Sequence, residues 1–306
     1  MRRMKRSFIV FLVALGLLAP WMSVKADERE STASGSSFVI GLSPEQNIFK
    51  EVERYTPLAD YLTKKCGFDV RIKVLTRYGE AAEDFTRQEI DAAFIGSYAY
   101  VLAHRKFGVE PLARAERLNG SSVYHGLLFV RQDSGIRSVN DMRGKSFAFV
   151  DAETLAGYLL PLVYLRTHGI RDYKAFLGET YFTGTHEDAI YDVLNRKADI
   201  GAAKSTIYHR LEQEDGRIER ELKILSRSPD VPDFALAVRR DLNPLVRTAV
   251  TRALLRMDAD AEGKEVLKNL GARRFIPTAD KEYEPVRAYE RQLGFNAEKR
   301  DRPREH

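Results

Sequence analysis

The sequence predicts an α/β fold of two lobes, and three observations predict it. Strand-like and helix-like segments alternate along the chain, which argues for largely parallel sheets flanked by helices. Two stretches read as crossings from one lobe to the other. The length, 306 residues, suffices for one large or two medium lobes.

Taken in order, the polar stretch DERESTASGSS (27–37) reads as a flexible leader. FVIGL (38–42) is the first strand, and a helical stretch follows it to near Cys66. VRIKVL (70–75) precedes a helix opening near Tyr78, and IDAAFIG (90–96) precedes one opening near Tyr98. Further strands are expected at GLLFVR (126–131), SFAFV (146–150), DIGAA (199–203), LKILS (222–226) and ALAVR (235–239). The first crossing is SSVYHGLLFVRQDSGI, a strand between polar, Gly-containing flanks. The second, LSRSPDVPDFALAVR, holds two prolines and returns to a strand. They divide the body into a discontinuous lobe 1, residues 38–125 with 234–295, and a lobe 2, residues 126–233. Two lobes joined by two crossovers enclose a cleft suited to a small ligand and to hinge closure. The tail 296–306, ending EKRDRPREH, is expected to be disordered.

The N-terminus reads as a targeting segment. MRRMKR is a basic n-region, SFIVFLVALGLLAPWMSV an apolar stretch, and Val24-Lys25-Ala26 fits a signal-peptidase site. Residues 1–26 are therefore expected to be cleaved after Ala26 and the mature chain to be periplasmic. Pro20 and Ser23 interrupt the apolar stretch and argue against a retained anchor. Arg2, Arg3, Lys5, Arg6 and Lys25 equal the whole formal charge of +5, so the mature chain is neutral. Its Lys and Arg are interspersed with Asp and Glu, which gives no case for a nucleic-acid partner. Cys66 is the one cysteine and excludes an intrachain disulfide. At a helix end it reads as a small buried residue rather than a nucleophile or metal ligand.

Six segments carry a resemblance: YTPLADYL (55–62), IDAAFIGSYAYVLA (90–103), YHGLLFVRQDSGI (124–136), DMRGKSFAFVDAETLAGYLLP (141–161), FTGTHEDAIYDVLNRKADIGAA (182–203) and SRSPDVP (226–232). In this order they resemble the phosphate/phosphonate-binding proteins of bacterial ABC importers, a branch of the type 2 periplasmic solute-binding proteins, over roughly 38–270. The resemblance implies a two-lobed type 2 periplasmic binding protein fold with two crossover hinge strands. It implies a small oxyanion of phosphate, phosphite or phosphonate type as ligand and an ABC permease in the inner membrane as partner. A monomer without cofactor, metal or catalytic residues is the corresponding expectation.

In that family a Ser-Thr-Ser-Gly motif at a helix N-terminus holds the phosphonate group, and Thr154-Leu155-Ala156-Gly157 aligns with it here. One hydroxyl survives and two are lost, while backbone N–H groups remain whatever the side chains. At Gly157 a side chain is expected to obstruct the anion. The alternative is that Asp151 or Thr154 merely caps a helix. His186 matches a ligand-contacting histidine in Gly-x-His, and equally reads as a helix start with Thr185 at the N-cap and Asp188 three residues on. Tyr78 and Tyr124 align with two tyrosines that reach the ligand from the other lobe, against the plain alternative of half-buried core residues. Ser97, directly after a strand, is a further donor at a helix N-terminus.

Departures from the family bear on the ligand. Members that bind aminoalkylphosphonates carry acids for the amine. The corresponding positions here are Thr206 and Phe234, with Asp233 beside the second, so a cationic substituent is expected to find no partner. Two other functions compete with import: a sensor of the same fold signalling to a membrane receptor kinase or cyclase, and an enzyme. Against the enzyme, no Gly-x-Ser-x-Gly, His-Glu-x-x-His or Walker-type loop is present.

Overall fold

The computed structural model describes residues 37–294. The expected signal peptide, the leader up to residue 36 and the tail 296–306 lie outside the described residues. In chain order the strands are β1 Phe38–Leu42, β2 Val70–Val74, β3 Ala92–Ile95, β4 Glu110–Arg117, β5 Val123–Tyr124 and β6 Gly126–Arg131. There follow β7 Phe147–Phe149, β8 Thr180–Phe182, β9 Ile200–Lys204, β10 Leu222–Arg227, β11 Val231–Pro232, β12 Ala235–Val238 and β13 Ala272–Pro277. They form a six-stranded sheet in the order β13-β4-β12-β3-β1-β2 and a five-stranded sheet in the order β10-β6-β9-β7-β8. A small ribbon pairs β11 with β5 where the chain crosses between the sheets.

The parallel pairing expected from alternation holds at one side of each sheet. β1 is parallel to β2 and β3, and β7 is parallel to β8 and β9. Elsewhere the strands are antiparallel: β12 against β3 and β4, β13 against β4, and β6 against β9 and β10. The crossings explain the reversal. β6 and β12 each enter their sheet directly from the crossing ribbon, on the side where the parallel strands leave, and so run opposite to them. β4 and β13 were not expected from the sequence, because EPLARAER and ARRFIP mix charges and prolines into short apolar patterns.

Helices fill the connections, and their ends follow local chemistry. The helix Ile48–Cys66 begins where the Asn47 side chain accepts from Phe49 N–H at 3.0 Å and stops at Gly67, whose φ of 78° suits glycine. Ile40, Leu58, Leu62, Phe94, Leu236 and Leu254 pack behind the six-stranded sheet. Leu127, Phe129, Ile190, Val193, Ile207 and Leu211 pack behind the other. A third apolar cluster joins Tyr98 and Val101 of the helix Ser97–Phe107 to Leu155, Leu159 and Leu162 and to Val286 and Tyr289 of the helix Glu284–Gln292. Each fully buried side chain of this size contributes about 1.5–3 kcal/mol.

Candidate functional site

The mutually parallel strands all end at one place. Just past their carboxyl ends lie Ser43 and Glu45 after β1, Tyr78 after β2, Ser97 after β3, Thr154 after β7, His186 after β8, and Lys204 closing β9. Ligands of open α/β sheets bind outside such carboxyl ends, where helix N-termini converge. Tyr78, Ser97, Tyr124, Thr154, Leu155, Ala156, His186 and Lys204 are all buried there.

After β7 the chain enters its helix through a π-turn, Leu155–Leu159, before continuing as the α-helix Leu160–Thr167. The first bond of that turn is Leu159 N–H to the Thr154 carbonyl, at 3.2 Å. The N–H groups of Leu155, Ala156, Gly157 and Tyr158 precede it and have no acceptor among the described residues. Buried backbone donors are rarely left unpaired. Unpaired donors at a helix start, with the helix dipole behind them, favour a negatively charged group. The i→i+5 start also leaves one more donor unpaired than an α-helical start would expose before its first bond.

The side chains of this loop depart from the expectations drawn from them. The Thr154 hydroxyl donates to the Asp151 carbonyl at 2.7 Å, so it neither caps the helix nor has a proton for a ligand. Leu155 and Ala156 belong to the apolar core, leaving only their backbone to face an anion. Gly157 has a packing reason besides the one expected: a Cβ there would sit 2.4 Å from the side chain of Val150, just past β7.

His186 opens a helix as expected. Thr185 caps the helix His186–Leu194 by accepting from Asp188 N–H at 2.9 Å. The imidazole is buried, and Nδ1 accepts from the Lys204 backbone N–H at 3.3 Å, which leaves the proton on Nε2. Burial, with the Lys204 charge adding to it, lowers the His186 pKa to about 3. It is therefore a neutral single donor. Tyr78 meets it edge-on, ring centroids 6.3 Å apart, and packs with Val150, Ala189 and Phe234. The Tyr78 hydroxyl is buried and has no hydrogen-bond partner among the described residues. Tyr124 and Ser97 bond to each other at 2.9 Å, which uses one hydroxyl proton and leaves one for a further acceptor.

Lys204 is the site residue that sequence reasoning missed. Its ammonium lies 2.6 Å from Glu45 and 2.7 Å from Asp233, and 4.0 Å and 5.0 Å from the ring centroids of Phe234 and Tyr124. Arg117 also pairs with Asp233. Burial alone would raise the Asp233 pKa, but Lys204 and Arg117 outweigh it and hold the carboxyl below its ordinary value. Thr206 and Phe234 carry no acid, but Asp233, beside the second, and Glu45 supply two carboxylates to this ammonium. The available signals were Asp233 itself, one residue from the aligned position, and SPEQN directly after the first strand.

The family model described as "ABC transporter, phosphonate, periplasmic substrate-binding protein" matches residues 40–283. The chain belongs to this family. It is 24% identical over 278 residues to the phosphonates-binding periplasmic protein of Escherichia coli K12, covering 89% of this chain and 78% of that one. The binding protein component of a Pseudomonas aeruginosa ABC phosphonate transporter superimposes with a TM-score of 0.78 at 23% identity, over 85% of this chain and 87% of that one. PhnD1 of Prochlorococcus marinus, solved in complex with methylphosphonate, gives 0.75 at 20% identity, over 84% and 98%. These likenesses confirm the two-lobed binding-protein fold.

As a member of this transporter family the chain is a periplasmic substrate-binding component, and contacts bridge elements of its two sheets. The loop 43–47 leaves the six-stranded sheet and reaches the helix that carries His186. Asn47 N–H donates to Glu187 at 3.2 Å, and Lys50 pairs with Glu187 at 3.2 Å and Glu214 at 3.6 Å. With the Lys204–Glu45 pair, these contacts join the two sheets' elements across the mouth.

Proposed function

We propose that the protein captures a small phosphorus oxyanion, of phosphate, phosphite or phosphonate type, between residues 38–125 with 234–295 and residues 126–233. It then delivers that ligand to an ABC permease of the inner membrane, as a monomer secreted by cleavage after Ala26. The observation that carries the reading is the turn at Leu155–Tyr158, where four buried N–H groups lack acceptors among the described residues, together with the Nε2–H of a neutral His186. From the opposite sheet, the unpartnered Tyr78 hydroxyl and the Tyr124–Ser97 pair add donors of the same kind. A tetrahedral oxyanion has acceptor lone pairs enough for all of them, and a site of neutral donors discriminates by geometry rather than charge. The ligands named for relatives, phosphonates and methylphosphonate, support the same class.

Calorimetry with phosphate, phosphite, methylphosphonate, sulfate and acetate tests it. At least one phosphorus oxyanion should bind well above sulfate and acetate. A ligand present at about a hundred times its dissociation constant should add roughly 2.7 kcal/mol of stability. Equal response to all five, or to none, contradicts the proposal.

A further inference from the structure

We propose that Lys204 is the built-in occupant of an ammonium-binding box and, by filling it, restricts the neighbouring anion site to ligands without an amine. The inference rests on the anion reading above. The box has the parts that recognise a free primary ammonium: two carboxylates from separate segments, Glu45 after β1 and Asp233 between β11 and β12, and two aromatic faces, Tyr124 and Phe234. Nothing else about Lys204 requires its charge to be there. A strand-end residue at this depth would be satisfied by an apolar side chain, and lysine is almost never this buried unless paired.

The box adjoins the anion donors directly. The backbone N–H of Lys204 itself holds Nδ1 of His186, and the Tyr124 ring that faces the ammonium carries the hydroxyl bonded to Ser97. A short ω-amino anion held at Leu155–Tyr158 would bring its ammonium toward the same two carboxylates. There is no charge left for it. Glu45 and Asp233 are balanced by Lys204 and Arg117, so a second ammonium would be buried without a counter-ion. The chain thus selects against amines by occupying their partners, not by lacking them.

The test uses the full-length protein purified after export, with Lys204→Ala and, to lower the burden of uncompensated acid, Lys204→Ala combined with Glu45→Gln. The first readout needs no phosphorus ligand: thermal unfolding in ethylammonium chloride against sodium chloride at equal ionic strength. Ethylammonium should raise the melting temperature of both variants and leave the wild type unmoved, and Lys204→Met, which refills the box with an uncharged stem, should not respond. The second readout is the affinity ratio of 2-aminoethylphosphonate to methylphosphonate by calorimetry. That ratio should rise by about ten- to a hundredfold in Lys204→Ala, and less in the double variant, as expected for restored charged hydrogen bonds. If Lys204→Ala alone fails to fold, the double variant carries both readouts. Absence of ethylammonium-specific stabilisation in both alanine variants overturns the box. An unmoved ratio, with methylphosphonate binding lost about a hundredfold, overturns the selectivity and makes Lys204 a direct anion contact. Should the wild type bind no phosphorus oxyanion at all, the proposed function falls while ethylammonium still judges the box.

Discussion

At one end of the cleft, four buried backbone N–H groups between Leu155 and Tyr158 have no acceptor among the described residues, and there the Tyr78 hydroxyl has none either. At the other end the Lys204 ammonium has two carboxylates and two aromatic faces. Both ends are polar, buried and built past strand ends, yet they differ in what completes them. The second is completed from within the chain, and in the proposed function a ligand completes the first. Changes at the paired end should therefore appear in the stability of the free protein, and changes at the unpaired end in affinity.

The largest effect is expected at the paired end. Lys204→Ala leaves the buried Glu45 carboxylate without this partner and Asp233 with only Arg117, and should cost about 3–5 kcal/mol of stability, read from urea denaturation of the unliganded protein. His186→Ala stands between the two regimes. It removes the Nε2 donor, which should weaken anion binding by about ten- to a hundredfold, roughly the 1.5–3 kcal/mol of a hydrogen bond to a charged group. It also strands the Lys204 backbone N–H, so a stability loss of about 1–3 kcal/mol should accompany it. Tyr78→Phe sharpens the contrast, because its hydroxyl has no partner among the described residues. Affinity should fall roughly tenfold while unliganded stability stays level or rises.

Gly157 separates packing from ligand contact. Gly157→Ala should destabilise the protein by about 1–3 kcal/mol through overpacking against Val150, and Val150→Ala in the same chain should return part of that loss. If the double variant regains stability and binds methylphosphonate normally, the glycine serves packing alone. If stability returns without binding, a side chain at 157 also obstructs the anion.

How much of this was legible in the sequence depends on the range of the interaction. β1 and β6 were read to the residue, because FVIGL and GLLFVR are apolar runs bounded by polar or glycine-containing flanks. The Thr185 cap was legible because its two partners lie three residues apart. The antiparallel strands β4 and β13 were not, since their pairing is fixed by where the chain re-enters the sheet and charges and prolines interrupt their apolar residues. The Lys204–Glu45 pair joins residues 159 positions apart, and no local pattern announces it. At the loop 154–157 the sequence pointed to backbone N–H groups at a helix start, but the π-turn that leaves one more of them unpaired is not revealed by side-chain identity.

A smaller and opposed pair of effects is expected with pH. The folded pKa of His186, about 3, lies below its ordinary 6.5, so between those values the unfolded chain binds a proton that the folded chain does not. Its contribution to stability is present above pH 6.5 and is lost as pH falls toward 3, at about 1.4 kcal/mol per pH unit. Glu51 is the reverse. Burial, then the nearby charge of Glu45, raises its pKa to about 7 from 4.5. Its contribution is present below pH 4.5 and is lost as pH rises toward 7. The two slopes oppose each other between pH 4.5 and 6.5. In Glu51→Gln the histidine slope should stand alone, so stability measured across that range should fall with acid more steeply than in the wild type. Parallel profiles for the two proteins would show that Glu51 ionises normally.

The backbone amides of Leu155, Ala156, Gly157 and Tyr158 can be observed directly. In a 15N-labelled sample titrated with methylphosphonate, these four amide protons should move downfield by more than any others in the chain, in step with the calorimetric isotherm. Saturating methylphosphonate binding that leaves all four unshifted, with the largest changes elsewhere, would contradict a ligand held by the start of this helix.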